Sequence, residues 1–539
     1  MTDGDADVLI RAGAVHTLVP GQGPQRVLAV RGDRIAAVSS DPNGLDDMEG
    51  ARTTVYDLPA ATVLPAFDDT HTHLILAGHS AHDVPVHQAR TIAEFLDLIR
   101  QRARTTPAGE WIRTTTNWQE LNLAERRMPT ATELDQATDR HPVLVKRGGH
   151  NDVANTYALR LANITEDTPV PPGGVIGRGD DGRLNGRLID NALPLVERLL
   201  PSPDLGRRIE GLRSASGQYA ATGIGTVRDC MVTPEDYRVL QAAREAGALS
   251  TRVRALISVL GLTSTAQVRE RLDVMEEWRH SSDPWLGVWG VKFGLDGGLE
   301  AGATEEPYVC DHTFSGTLIW EPDALVEAVE AVVRRGWRVG THAYGDRAVR
   351  VLLDVYERVL ERNPGLPAGT LVMEHGGLAD AVQRSRAVAL GIPVTIQQPL
   401  LHDTAEVEEG FWGPERVSRI FPARGWIDLG AQVSAGSDFP VGQFGAMRSV
   451  WGMTTRQTVI GVKGPEYAIS YDEALALHTT QAGLLNGEEH LRGALAPGRL
   501  ADLTVWDQDP ARCCGDALRD LDPTHTFVGG TLVTFTGAG

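Results

Sequence analysis

Cysteine is scarce in this chain: Cys230, Cys310, Cys513 and Cys514 are the only four in 539 residues. Scattered or adjacent cysteines make no disulfide framework, so a reducing cytoplasm is the expected compartment. Long apolar runs are missing too; none approaches the roughly 20 residues of a membrane span. The start, Met1-Thr-Asp-Gly-Asp-Ala-Asp, lacks the basic-then-apolar pattern of a secretory signal. Excess positive charge is a further absence. The net charge is −20, with Asp and Glu spread along the chain, whereas nucleic acid or an anionic membrane as partner would require a basic footprint. What remains is an acidic protein with 42% hydrophobic and 23% charged residues, the balance of an ordinary soluble globular protein.

Its length is too great for one core, and the chain divides by texture. Residues 1–60 and 486–539 both read as short strands broken by Gly and Asp turns, such as Arg26-Val-Leu-Ala-Val and Gly530-Thr-Leu-Val-Thr-Phe. Neither end can fill a core alone, so the two are expected to combine as one composite β-sandwich. Between them, eight β-rich runs alternate with helical segments: 62–67, 223–228, 252–259, 288–294, 337–342, 370–374, 392–397 and 431–436. Such alternation predicts a parallel sheet, and eight units predict a closed α/β (β/α)8 TIM-type barrel. Its first strand and metal motif fall in 61–77, the rest in 223–485. Residues 78–222 form a large insertion after strand one, far longer than a βα connection. Thr91-Ile-Ala-Glu94 reads there as a capping box, and Pro171-Pro-Gly-Gly as a turn. Because barrel active sites lie at the C-terminal strand ends, this insertion is expected to cover the site.

The chemistry starts at Asp69-Thr-His71-Thr-His73. Residues two apart on a strand share a face, so both imidazoles can point into the barrel mouth. With 16 histidines in the chain, chance alone supplies about half of one His-x-His pair, so the motif needs support. It comes from later strand ends: His342 after Trp337-Arg-Val-Gly-Thr, His375 after Leu371-Val-Met-Glu, and Asp438 after Ala435-Gly-Ser. Nitrogen and oxygen ligands of this number suit a catalytic divalent metal, zinc first. Lys292 lies in the apolar run Val288-Trp-Gly-Val-Lys-Phe, where an unpaired ammonium is costly. Either it pairs with Asp296, Asp229 or Glu374, or it reacts with CO2 to become a bridging carboxylate.

Taken together, Leu64-Pro-Ala-Phe-Asp-Asp-Thr-His-Thr-His, Gly223-Ile-Gly-Thr-Val-Arg-Asp, Val291-Lys-Phe-Gly-Leu-Asp-Gly, His342-Ala-Tyr-Gly-Asp-Arg-Ala, Glu374-His, Gly436-Ser-Asp-Phe-Pro-Val and Gly493-Ala-Leu-Ala-Pro-Gly-Arg-Leu-Ala-Asp-Leu resemble the amidohydrolase superfamily. The resemblance spans nearly the whole chain and is to the branch that contains N-substituted formamide deformylase. It implies two metal ions: His71, His73 and Asp438 on the more buried one, His342 and His375 on the second, and carboxylated Lys292 bridging both. Two Zn2+ are implied, although one ion, or iron, manganese or cobalt, would also accept these ligands. The resemblance further implies a metal-activated hydroxide attacking a carbonyl carbon, with Asp438 taking its proton and passing it to the leaving nitrogen. The substrate expected is a small molecule with a non-peptide amide, such as an N-substituted formamide or N-acyl amine.

Three residues are candidate substrate contacts: His150 in Gly148-Gly-His-Asn-Asp, Asp190 where relatives carry Glu, and Asp296. Asp68, where the family has an apolar residue, would put an extra carboxylate beside the site. Trp111, Trp118, Trp412 and Trp426 read as packing, and Cys230 as a buried structural thiol. A mononuclear deaminase or cyclic amidohydrolase is the alternative within enzymes, and a non-catalytic binding relative the alternative outside them. Homodimerisation is compatible with the sequence, which has no feature that establishes it.

Overall fold

The computed structural model describes residues 4–148, 151–171, 174–190, 192–201, 203–262, 264–279, 281 and 283–533. By contact density the chain forms two units: Met1–Ile75 with Leu212–Gly539, and Leu76–Gly211. No helix among the described residues is long and apolar enough to cross a membrane.

The larger unit contains the (β/α)8 barrel. Its strands are β1 (Phe67–Thr72), β2 (Ile224–Val232), β3 (Arg252–Ser258), β4 (Leu286–Gly294), β5 (Arg338–Ala343), β6 (Leu371–His375), β7 (Val394–Ile396) and β8 (Val433–Ala435). They run in sequence order as one parallel sheet from β1 to β8. Thr70 Oγ1 then donates to Ala435 O at 2.9 Å and Asp438 N to His71 O at 2.8 Å, which draws the two ends together. Helices pack against this sheet through apolar stripes. In Asp346–Arg362, Val349, Leu352, Leu353, Val355, Tyr356 and Val359 are buried on one side, at the spacing a 3.6-residue turn requires.

One strand lies elsewhere than the apolar pattern suggests. Residues 62–65 end the long strand Thr54–Pro65, which pairs with Leu503–Trp506 in a different sheet. The first barrel strand begins after Ala66 and consists of Phe67 followed by Asp68, Asp69, Thr70, His71 and Thr72, all buried. Apolar content locates burial, but a buried strand made of polar residues is paid for by hydrogen bonds that no hydropathy pattern records.

The two chain ends share one continuous sheet. Its seven strands run in the order 531–533, 525–528, 503–506, 54–65, 8–15, 25–31, 34–39. Ile10, Leu28, Val30, Val63, Leu503, Val505 and Phe527 fill one core and Leu9, Val27, Ala29 and Leu45 another. Neighbouring residues thus point to opposite buried faces, as strand periodicity dictates.

The smaller unit has a five-stranded sheet and its own core, which includes Phe95, Ile99, Trp118, Leu134, Val143 and Val145. Helix Ile92–Thr105 starts at Thr91, whose side chain accepts from Glu94 N. The reciprocal half of the expected capping box is displaced by one residue: Glu94 Oε2 accepts from Arg90 N at 2.8 Å. In the turn expected at Pro171-Pro-Gly-Gly, residues 172 and 173 lie outside the described residues.

Candidate metal centre

At the C-terminal end of β1, His71 and His73 meet Asp438, just beyond β8. One donor atom from each lies within 4.8 Å of the other two. His73 Nε2 is 2.9 Å and His71 Nε2 3.6 Å from Asp438 Oδ1. Asp438 reaches them from a left-handed backbone conformation, φ 58°, and His375 at the end of β6 has φ 72°. Such conformations disfavour side chains, and they recur where surrounding structure aims a functional group. Asp69, on β1, fixes the loop after β8: its carboxylate accepts from Ser437 N and Ser437 Oγ. Burial pushes the Asp69 carboxyl up to about 7.

Further round the barrel, the His375 ring lies 4.5 Å from the His71 ring and 4.4 Å from the His342 ring, centre to centre. His342 directs Nε2 to Gly297 O at 3.1 Å and to Asp296 Oδ1 at 3.3 Å. Asp296 is itself occupied with the backbone, accepting from the amides of Ala303, Tyr344 and Gly345. Its geometry is therefore that of an anchor behind His342.

Lys292, on β4, is buried beside this group, and its Nζ lies 3.3 Å from His71 Nε2. No ion pair joins it to Asp296, Asp229 or Glu374. Of 51 basic residues, only Lys146, Lys292 and Lys463 are lysines. Lys146 pairs with Glu197 and Lys463 with Glu409, whereas Lys292 has an imidazole nitrogen as its partner.

Beneath His71 lies Glu374, expected from the sequence only as a possible partner of Lys292, together with Arg228, to which the sequence assigns no role. His71 Nδ1 donates to Glu374 Oε2 at 2.7 Å, and Arg228 Nη2 donates to Glu374 Oε1 at 2.6 Å. Burial alone would raise the Glu374 carboxyl, but Arg228 and His71 hold it well below the usual range. Burial, reinforced by Lys292, lowers His71 to about 4, and burial with His342 lowers His375 strongly. Both imidazoles are thereby kept neutral, the form in which nitrogen ligates metal. His73 Nδ1 and His375 Nδ1 are buried without a hydrogen-bond partner. Uncharged imidazoles, an ionised Asp438 and unpartnered ring nitrogens make a donor set that fits a divalent metal. Cys230 also approaches His71 and Glu374, and burial raises its thiol.

Asp68 does not join this cluster. Asp68 turns instead to Arg492, 2.6 Å away, and to Asn486. On a strand, residue 68 faces opposite to 69 and 71, so the extra carboxylate does not join the site. Trp118 packs on Phe95, and Trp412 packs among Tyr308 and Tyr344. His150 lies outside the described residues, as does the side chain of Asp190.

A barrel mouth furnished with such donors is the equipment of a hydrolase. The chain belongs to the amidohydrolase family, whose sequence profile matches residues 54–534. It is similar to N-substituted formamide deformylase of Arthrobacter pascens, 28% identical over 538 residues covering 98% of each chain. It is also similar to Protein LONG AFTER FAR-RED 3 of Arabidopsis thaliana, 27% identical over 93% of this chain and 88% of the relative. Among solved structures, an uncharacterized metal-dependent hydrolase from Pyrococcus furiosus matches with a TM-score of 0.74. That pair is 23% identical and covers 94% of this chain and 100% of the other, a likeness of fold.

Proposed function

We infer that this protein hydrolyses a non-peptide C–N bond in a small-molecule amide, of the N-substituted formamide or N-acyl amine class. The observation that carries the reading is the convergence of His71, His73 and Asp438 next to Lys292, the one lysine without a carboxylate partner. Family membership supports hydrolysis, and the name of the Arthrobacter relative supports the substrate class.

His71, His73 and Asp438 would hold one divalent cation and His342 and His375 a second, zinc being the first candidate. When bound, such ions supply Lewis acidity, making water a nucleophile near neutral pH and polarising a carbonyl oxygen. Lys292 is suited to bridge them after its neutral amine adds to CO2, forming an N–C bond and releasing a proton. Arginine cannot take this part because its guanidinium does not deprotonate in proteins. That is a physical reason for lysine at 292 in a chain that otherwise favours arginine. Asp438 is held ionised by the His73 hydrogen bond and the nearby imidazoles against the opposing effect of burial. It accepts a proton from the attacking water and returns it to the leaving nitrogen. Asp296 keeps His342 in one orientation. His150 and Asp190 are assigned to substrate contact, so His150→Ala and Asp190→Asn should raise KM more than they lower kcat.

The test is metal analysis joined to assay of formamides and N-acyl amines. About two ions per chain are expected, with a carbamate at Lys292 visible by 13C NMR after labelling with 13CO2. Asp438→Asn should keep the fold and lower kcat by ~10³-fold or more. Unchanged hydrolysis in that variant would remove Asp438 from the chemistry; one ion per chain would point to a mononuclear hydrolase.

A further inference from the structure

We propose that Glu374, clamped by Arg228, is a positioning residue for metal capture: it locks His71 into the Nδ1–H tautomer and so presents the Nε2 lone pair to the site. The inference rests on the metal-centre reading above and adds to it the device that prepares one ligand before any ion arrives.

The lock is built across four barrel strands. His71 comes from β1, Arg228 from β2, Glu374 from β6 and Thr395 from β7. Glu374 Oε2 receives both the His71 Nδ1 proton at 2.7 Å and the Thr395 hydroxyl at 2.8 Å. Thr395 is oriented in turn by Gln397, whose Nε2 donates to Thr395 Oγ1 at 3.0 Å. The other carboxylate oxygen takes Arg228 Nη2 at 2.6 Å, while Arg228 Nη1 donates to Thr70 O at 2.9 Å. The guanidinium also lies over the Trp289 ring, 3.9 Å from its centre. Neither charge can swing away: Arg228 and Glu374 are both fully buried. A Cβ at Gly340 would stand 2.4 Å from Glu374 Oε1, so the glycine on β5 clears the place the carboxylate occupies.

The Glu374 side of the His71 ring sets its tautomer. Glu374, an ionised carboxylate, can only accept, so Nδ1 must carry the proton. With the proton on Nδ1, the lone pair falls on Nε2, the nitrogen that faces Lys292 Nζ at 3.3 Å. An imidazole left to itself exchanges freely between its two neutral forms. Here the competent form is selected in advance, and capture of the ion need not reorganise the ring. A buried ion pair placed for stability alone would have no reason to spend an oxygen on Nδ1 of a ligand.

The test uses the full chain with ring-15N-labelled histidine, observed both as purified with metal and after chelation. The His71 signals are assigned by their loss in His71→Gln. Nδ1–H is expected at His71 in both states; an Nε2–H form in the chelated protein would overturn the proposal. Glu374→Gln, checked for folding by its melting curve, should weaken Zn2+ binding by ~10–100-fold in chelator competition and leave His71 in mixed tautomers. A folded Glu374→Gln protein with unchanged Zn2+ affinity would also overturn it. If Glu374→Gln does not fold, the wild-type tautomer decides the matter. None of these readouts involves a substrate, so failure of the amide-hydrolysis reading would show separately, as absence of turnover with the lock intact.

Discussion

Glu408 illustrates how one buried residue can set the pH response of the fold. It lies in helix Gln398–Trp412, where Tyr344 Oη donates to its Oε1 at 2.6 Å and its other oxygen has no partner. Burial raises this carboxyl from 4.5 to about 8. A raised carboxyl means that the folded state binds the proton more tightly than the unfolded state. Its favourable contribution is therefore complete below about pH 4.5 and is lost as pH rises towards 8. Glu408→Gln keeps an oxygen for Tyr344 but cannot ionise. The variant should gain roughly 3 kcal/mol on wild type between pH 5 and pH 8, read from urea unfolding at the two values. A gap that does not change with pH would mean that Glu408 ionises normally. Lys292 is a second case in which identity matters more than charge, since nothing but a deprotonatable amine could be carboxylated there.

The strands show what makes an element legible. β2 to β8 stand close to where apolar runs locate them, because each buries Val, Leu or Ile between barrel and helices. β1 does not, since its five residues after Phe67 are polar and buried. The pair His71 and His73 at its end is nonetheless legible as a candidate metal motif, because a His-x-His pair needs only strand geometry and the company of later strand ends. The tautomer lock was not. Glu374 touches His71 across 303 residues of sequence and Arg228 across 146, and no local pattern encodes such a contact. Gly340 is likewise silent in sequence, although the sheet requires it. Gly340→Ala would press a methyl against Glu374 Oε1, Leu256 Cδ2 at 3.0 Å and Arg228 Nη2 at 3.1 Å. Overpacking of this kind should cost about 1–3 kcal/mol, seen as a lower denaturant midpoint with unchanged slope. The insertion's reading stopped earlier still, because loops take their conformation from tertiary partners.

At the scale of the whole larger unit, a buried ionic network ties the barrel to the segment that returns to the terminal sheet. Arg254 donates to Glu488 at 2.7 Å, Arg492 joins Glu488 to Asp68, and Arg252 grips Asp502 with two bonds of 2.8 and 2.9 Å. Burial alone would raise Glu488, but Arg492 and Arg254 outweigh it and hold the carboxyl at about 2. A depressed carboxyl stabilises above its unfolded value, near 4.5, and loses that stabilisation as pH falls through the folded value. Glu488→Gln should therefore be about 3 kcal/mol less stable than wild type at pH 7, with the gap narrowing steadily from pH 4.5 to pH 2. Denaturant unfolding at pH 7, 4 and 3 would measure it, and a gap that persists undiminished at the lowest pH would dismiss the ionic account.

The shared sheet of the two chain ends also sets a timetable. Strand Thr54–Pro65 has Leu503–Trp506 on one side, with Leu64 and Thr504 facing each other 440 residues apart. During synthesis at about 5–20 residues per second, that partner emerges some 20–90 s later. Until then an edge rich in Val and Leu stays open on the ribosome. The newborn chain must pass through this interval with its N-terminal strands waiting, an exposure that favours holdase chaperones.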